Sequence, residues 1–207
     1  MLQGIDVSHW QGPIDWAKVG TSVSFVSIKA TEGKRGVDSL FEENWKGVAE
    51  DGRVRGAYHY FQPLIDPVAQ ARHFCDVVGS LGPMDLPPEL DLENPPAWEG
   101  VKLADRVPRV KAWIDEVRAR LGRDPMIYTS AYFWKKVFAG APDFNALPLW
   151  VAHYTTKPAP AYPPGWDWSF WQYSEKGTVP GINGPVDLNR FRSDDLNALF
   201  RLAGSGR

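Results

Sequence analysis

Leu86-Pro87-Pro88-Glu89-Leu90-Asp91-Leu92-Glu93 reads as a short β-strand that ends in carboxylates. Side chains alternate faces along a strand, so Glu89, Asp91 and Glu93 share one face while Leu90 and Leu92 point the other way. Working outward, further strands are expected over residues 5–8, 25–30, 56–61, 126–130, 149–154, 170–173 and 186–191, which with residues 86–93 makes eight. Helical patterns separate the early ones. Phe41, Trp45 and Val48 recur at helical spacing and Gly52 follows as a stop. Asp66-Pro67 is a helix start, a capping oxygen followed by a residue with φ preset, and Ala71, Phe74 and Val78 form the buried stripe behind it. The longest helix is expected over 105–121, with Val107, Val110, Ile114, Val117 and Leu121 on its apolar face, Pro108 in its first turn and Gly122 ending it.

After Ser130 the pattern changes. The segments 157–165 and 179–185 are rich in Pro and Gly and leave little room for full helices. Five βα units followed by three strands with loop connections, and a closing helix over 194–202, is the expected order. Strand–helix alternation argues for an α/β class with a parallel sheet, and eight strands argue for a TIM-like barrel with reduced helices in the C-terminal third. At 207 residues the chain fits one domain, 1–207, with residues 203–207 as a flexible tail of small residues.

Composition narrows the function classes. Hydrophobic residues at 43% allow a sizeable core, and a formal charge of −2 supplies no broad basic field, so nucleic acid is not an expected partner. No apolar run is long enough to span a bilayer, so membrane insertion is not expected. Cys75 is the single cysteine, which excludes an intrachain disulfide and a cysteine-based metal site; on an apolar helical stretch it reads as an inert core thiol. Met1-Leu2-Gln3 runs directly into a strand, without the charged and apolar regions of a signal peptide. Export by another route, or a leader outside this sequence, is the corresponding expectation. A monomer is assumed.

In parallel barrels the working residues sit at the C-terminal ends of strands. Four acids fall there: Asp6 on the first strand, Asp91 and Glu93 on the fourth, and Asp187 in the last. Barrel closure makes the first and last strands neighbours, so Asp6 and Asp187 should lie close together. A lone Asp in a strand or turn is commonly a cap or a loop hydrogen-bonder. The Asp91/Glu93 pair is harder to read that way. Two buried acids two residues apart cannot both be comfortable as anions, and one is pushed toward its protonated form. A proton donor beside an ionised partner is what cleavage of a glycosidic bond requires, so hydrolysis of a sugar polymer is the leading expectation. Glu32 is a weaker candidate, and Glu89 is expected deeper in the strand as a structural group or paired with a lysine such as Lys29.

The chain carries 10 Trp, 7 Tyr and 10 Phe, and aromatic faces at strand ends could stack on sugars. Tyr58, Tyr60, Tyr128, Trp150 and Tyr154 are the candidates, with Gln172 between Trp171 and Tyr173 as a polar one; elsewhere aromatics are expected to fill the core. His9, His59, His73 and His153 lack metal spacing, and His59 and His153 read as structural or as donors in the site. Neither a Gly-rich phosphate loop nor a Ser-centred elbow nor a His-Glu-x-x-His motif is present, and no metal or organic cofactor is expected.

The chain resembles glycoside hydrolase family 25, the Chalaropsis-type lysozymes. The resemblance rests on Gly4-Ile5-Asp6-Val7-Ser8-His9-Trp10-Gln11, Lys29-Ala30-Thr31-Glu32-Gly33, Gly56-Ala57-Tyr58-His59-Tyr60, Leu90-Asp91-Leu92-Glu93, Ile127-Tyr128-Thr129-Ser130, Leu149-Trp150-Val151-Ala152, Phe170-Trp171-Gln172-Tyr173 and Val186-Asp187-Leu188-Asn189, in order along nearly the whole chain. It implies an irregular barrel of the β5α3 kind. It implies cleavage of the β-1,4 bond between N-acetylmuramic acid and N-acetylglucosamine in the glycan strands of peptidoglycan, and thus action at the cell wall, extracellular or periplasmic. By resemblance Glu93 is the general acid, Asp91 the carboxylate assisting it, and Asp6 and Asp187 line the pocket. Configuration is expected to be retained, by attack either of the substrate's own N-acetyl oxygen or of a carboxylate. The alternatives are a chitinase-like hydrolase, whose longer acidic run is absent here, and a non-catalytic wall-binding module on the same scaffold.

Overall fold

A computed structural model gives the fold of residues 1–204. Nine strands form one sheet: β1 Leu2–Val7, β2 Val23–Glu32, β3 Gly36–Val37, β4 Val54–Tyr60, β5 Glu89–Asp91, β6 Met126–Thr129, β7 Leu149–Ala152, β8 Trp168–Gly177 and β9 Val186–Phe191. Pairing of β1 with both β9 and β2 closes eight of them into a barrel, while β3 hangs outside the ring on the end of β2. The expected eight-stranded α/β barrel is therefore the observed one.

The sheet is not wholly parallel. Neighbours from β1 through β2, β4, β5, β6 and β7 to β8 run parallel, but β9 is antiparallel to both β8 and β1. The link from β8 to β9, residues 178–185, is too short for the crossover that a parallel return needs. This reversal matters for the site. Asp187 lies at the N-terminal end of β9, which brings it to the same mouth as the C-terminal ends of the parallel strands.

Alternation along the strands builds two cores. Outward residues such as Val26, Ile28, Leu90 and Ile127 pack under the helices α1 Phe41–Glu50, α2 Pro67–Val78, α3 Leu103–Leu121 and α4 Ala131–Phe138. Inward residues Phe25, Val54, Met126, Trp150, Phe170 and Phe191 fill the lower barrel, and Leu199 and Ala203 of α5 Leu196–Ala203 close it from below. Burial of each such Phe contributes about 1.5–3 kcal/mol. Gly4 belongs to this interior: a Cβ there would lie 2.3 Å from the Phe25 ring, so the ring occupies the space a side chain would need. The start of β1 and the last helix thus share the bottom of the barrel, where Leu2 N–H donates to the Ser193 carbonyl.

Helix ends follow the sequence signals in two cases. Asp66 accepts from Ala69 N–H at 2.6 Å with Pro67 behind it, and Gly122 adopts φ 67 to end α3. Several expectations need correction. Helix α3 begins at Leu103, so Pro108 lies past its first turn and leaves the Ala104 carbonyl without its helical donor. Strand β5 is shorter than residues 86–93, because Pro87 and Pro88 have no N–H to give to a ladder. The first barrel strand is followed by 3₁₀ turns, His9–Gln11 and Trp16–Lys18, and not by an α-helix. Helix α4, capped by Ser130 on Phe133 N–H, stands where none was delimited. Ala203 is buried in α5 and Gly204 N–H still donates to the Phe200 carbonyl, so neither is part of a tail; residues 205–207 of that expected tail lie outside the described residues.

Candidate active site

The barrel mouth holds a cleft of about 170 Å³. Strand register explains its lining. Asp6 and Asp187 stand directly opposite one another on β1 and β9. Tyr58 is level with Glu89 on β4 and β5, and Asp91 is level with Tyr128 on β5 and β6. All of these point inward and line the cleft, as do Glu93 just past β5, Tyr154 just past β7, and Gln172 and Glu175 on β8. The four acids singled out from the sequence are thus brought together. Glu93 is exposed at the rim, whereas Asp91 is buried.

Hydrogen bonds knit the floor. Gln172 Nε2 and Asn189 Nδ2 both donate to Asp6 Oδ2, at 2.9 and 2.7 Å. The phenols of Tyr128 and Tyr154 donate to Gln172 Oε1 at 2.8 and 2.7 Å. Ser27 Oγ and Glu89 Oε2 are 2.7 Å apart. Asp91 Oδ1 is buried with no hydrogen-bond partner among the described residues.

Crowding so many acids raises their affinity for protons. Burial pushes Glu89 up to about 8 against the stabilising Ser27 contact, with the Asp6 charge adding. Asp187 is pushed up to about 8 by burial, by the Asp6 charge and by its hydrogen bond to Asp6. Asp91 is raised well above the ordinary range by burial and then by its neighbours Glu93 and Glu89. Glu93 is raised by dehydration in the crowded mouth and by the Asp6 charge, against Lys29; its solvent contact at the rim moderates the first of these. Asp6 is raised by burial and lowered by its two amide donors.

Other expected residues fall elsewhere. Trp150 is 1% exposed, stacked on Phe170 beneath the cleft, and donates from Nε1 to Asn189 Oδ1; it has no face to offer a sugar. Tyr60 stands outside the cleft lining with Lys29 over its ring at 5.0 Å. Glu32 pairs with Lys29 at 2.8 Å and accepts from Gln62, so Lys29 does not pair with Glu89. His59 is fully buried on the helix side of the sheet, between Thr31, Gln70 and the Trp113 ring, and burial lowers it to about 3. His153 accepts from Ala161 N–H. Sequence reasoning missed Glu175 and Asn189 and set Glu89 aside. Alternation signals two of these: Asn189 lies two residues beyond Asp187, and Glu89 two before Asp91. Glu175 had no such signal, because bulges shift the register of β8 after Gln172.

Among the described residues no helix is long and apolar enough to cross a membrane, and no group of three or more His, Cys, Asp or Glu is arranged to hold a metal ion.

An α/β barrel whose mouth gathers several buried or crowded carboxyl groups has the proton donor and the neighbouring acids that a glycosidase needs. Residues 5–182 match the family described as Glycosyl hydrolases family 25. Lysozyme M1 of Streptomyces globisporus is 39% identical over 208 residues, 96% of this chain and 70% of that protein. The uncharacterized protein YegX of Escherichia coli (strain K12) is 42% identical over 206 residues, 96% of this chain and 73% of that protein. The crystal structure of the bacterial lysozyme from Streptomyces coelicolor superposes with a TM-score of 0.93 at 37% identity, covering 99% of this chain and 97% of that one. The chain belongs to glycoside hydrolase family 25.

Proposed function

We propose that this protein is a muramidase that cleaves the β-1,4 bond between N-acetylmuramic acid and N-acetylglucosamine in peptidoglycan, with retention. Convergence of Asp6, Asp91, Glu93 and Asp187 on one open mouth is the observation that carries this reading. Lysozymes among the relatives support the substrate. Glu93, exposed and held toward its protonated form, gives its proton to the glycosidic oxygen as the bond from that oxygen to the sugar's C1 breaks. The acetamido oxygen of the same sugar bonds to C1 from the opposite face. Asp91 accepts the acetamido N–H at its unpartnered Oδ1, which orients that group for attack. Glu93, now a carboxylate, takes a proton from water, whose oxygen bonds to C1 and releases the acetamido group. Two displacements at C1 restore the original configuration, an exception to the scheme in which a second carboxylate attacks. Tyr154, half exposed at the mouth, offers a ring to the glycan, while Tyr58, Tyr128 and Gln172 form the polar wall beneath it.

The test is release of new reducing ends from insoluble peptidoglycan and from chitin, with identification of the sugar at each new terminus. N-acetylmuramic acid at the reducing end, lost in Glu93→Gln, is expected. Release from chitin alone would favour the chitinase-like alternative, and binding without release a wall-binding module.

A further inference from the structure

One hydrogen-bond chain beneath the mouth has its polarity dictated by chemistry. An indole N–H can donate and cannot accept. Trp150 Nε1 donates to Asn189 Oδ1 at 2.9 Å, which leaves the amide nitrogen of Asn189 facing Asp6 Oδ2 at 2.7 Å. The same Asp6 oxygen accepts from Gln172 Nε2 at 2.9 Å. Asp6 therefore meets two amide donors, one of them locked in orientation by a group with no alternative. Asp187 is also hydrogen-bonded to Asp6. Two carboxyl groups share such a bond when one of them carries the proton.

We propose that Trp150 and Asn189 are positioning residues that make Asp6 the anion of the Asp6/Asp187 pair and leave the shared proton on Asp187. Both are buried, at 1% and 0% exposure, so they act through Asp6 and not on a ligand. The charge fixed on Asp6 then helps Glu93 keep its proton, and the Asp187 O–H donates to Asp6. The other acids facing Asp6 are Glu89 and Asp91 from β5 and Glu93 just past it, with Glu175 from β8 further along the cleft and Lys29 on β2 as the opposing cation. Tyr58, Tyr128 and Tyr154 around it are all raised by burial and stay neutral.

Trp150→Phe removes the N–H while keeping a ring to stack on Phe170, which lies 4.5 Å away at 18°. Asn189→Leu removes the donor itself. The pair is titrated by NMR of carboxyl-labelled aspartate in the ligand-free protein, and the acid limb of kcat/KM on peptidoglycan is measured alongside. Loss of a hydrogen bond to a charged group should move the first ionisation of the pair up by about one pH unit or more in Asn189→Leu, with a smaller upward move in Trp150→Phe. The acid limb should move the same way. An unmoved titration in folded Trp150→Phe, or a proton found on Asp6 in the unaltered protein, would overturn the proposal; a purely structural role would lower the melting temperature and leave the titration in place. The kinetic arm rests on the muramidase reading, but the NMR arm does not. A protein that cuts no peptidoglycan yet titrates as expected would sink the former reading alone.

Discussion

Glu89→Gln should make this protein more stable in alkaline solution and nearly unchanged in acid. Glu89 sits on the cleft floor, 3% exposed, with Ser27 Oγ at 2.7 Å and the Asp6 charge nearby. Its carboxyl is pushed from the ordinary 4.5 up to about 8, burial being the main cause. In the unfolded chain the same group ionises near 4.5. Between those pH values the folded protein binds a proton that the unfolded one has lost, so stability falls as pH rises. At about 1.4 kcal/mol per pH unit, the difference between 4.5 and about 8 comes to about 5 kcal/mol. Glutamine has the same shape, offers Ser27 an acceptor and never ionises, so the variant escapes this loss. Asp187 and Asp91 also bind protons more tightly when folded, and they tilt both proteins in the same direction. The informative quantity is therefore the variant minus the parent. Urea unfolding at several pH values from 4 to 9 should show that difference growing steadily above pH 4.5 and levelling near 8. A difference that stays constant across the range would mean Glu89 ionises normally in the folded state, and the account of the cleft floor would fail.

Asp91→Asn should lower turnover on peptidoglycan by about 10²–10⁴-fold while holding or raising the melting temperature at pH 8, because it removes a buried group crowded by Glu93 and Glu89. A variant that loses stability and keeps activity would remove Asp91 from the chemistry. Gly4→Ala should destabilise the barrel by about 1–3 kcal/mol, read as a lower urea midpoint, since its Cβ would meet the Phe25 ring at 2.3 Å. Arg123→Met should cost about 2–4 kcal/mol: the guanidinium donates to the carbonyls of Gly82, Asp85 and Ala203 and so fastens α5 beneath the barrel. Faster amide exchange in α5 than elsewhere is the accompanying signature.

The strands that carry the acids were legible because alternation is a local property. Asp91 and Glu93 follow from one eight-residue stretch, and Asp6 meets Asp187 once the barrel closes. What the sequence did not disclose depends on chain length and distant packing. The antiparallel course of β9 is set by the short 178–185 link, and a parallel course would carry Asp187, near the N-terminal end of that strand, to the opposite mouth of the barrel. Helix α4 spans eight residues, too few to establish a period, although Ser130 was a visible cap. Trp150 follows the same strand logic as Tyr128, but it points into the lower barrel, where Phe25 and Phe170 enclose it. Whether an inward aromatic lines a cleft or fills a core depends on its depth along the barrel axis, which no run of neighbouring residues encodes.

Because β1 begins and α5 finishes under the barrel floor, an anchoring group attached by either route would hold the protein with its cleft turned outward. Beads or surfaces carrying the protein by a linker at residue 1 should therefore keep full access to insoluble material, whereas coupling through Lys29, beside the acids, should block it.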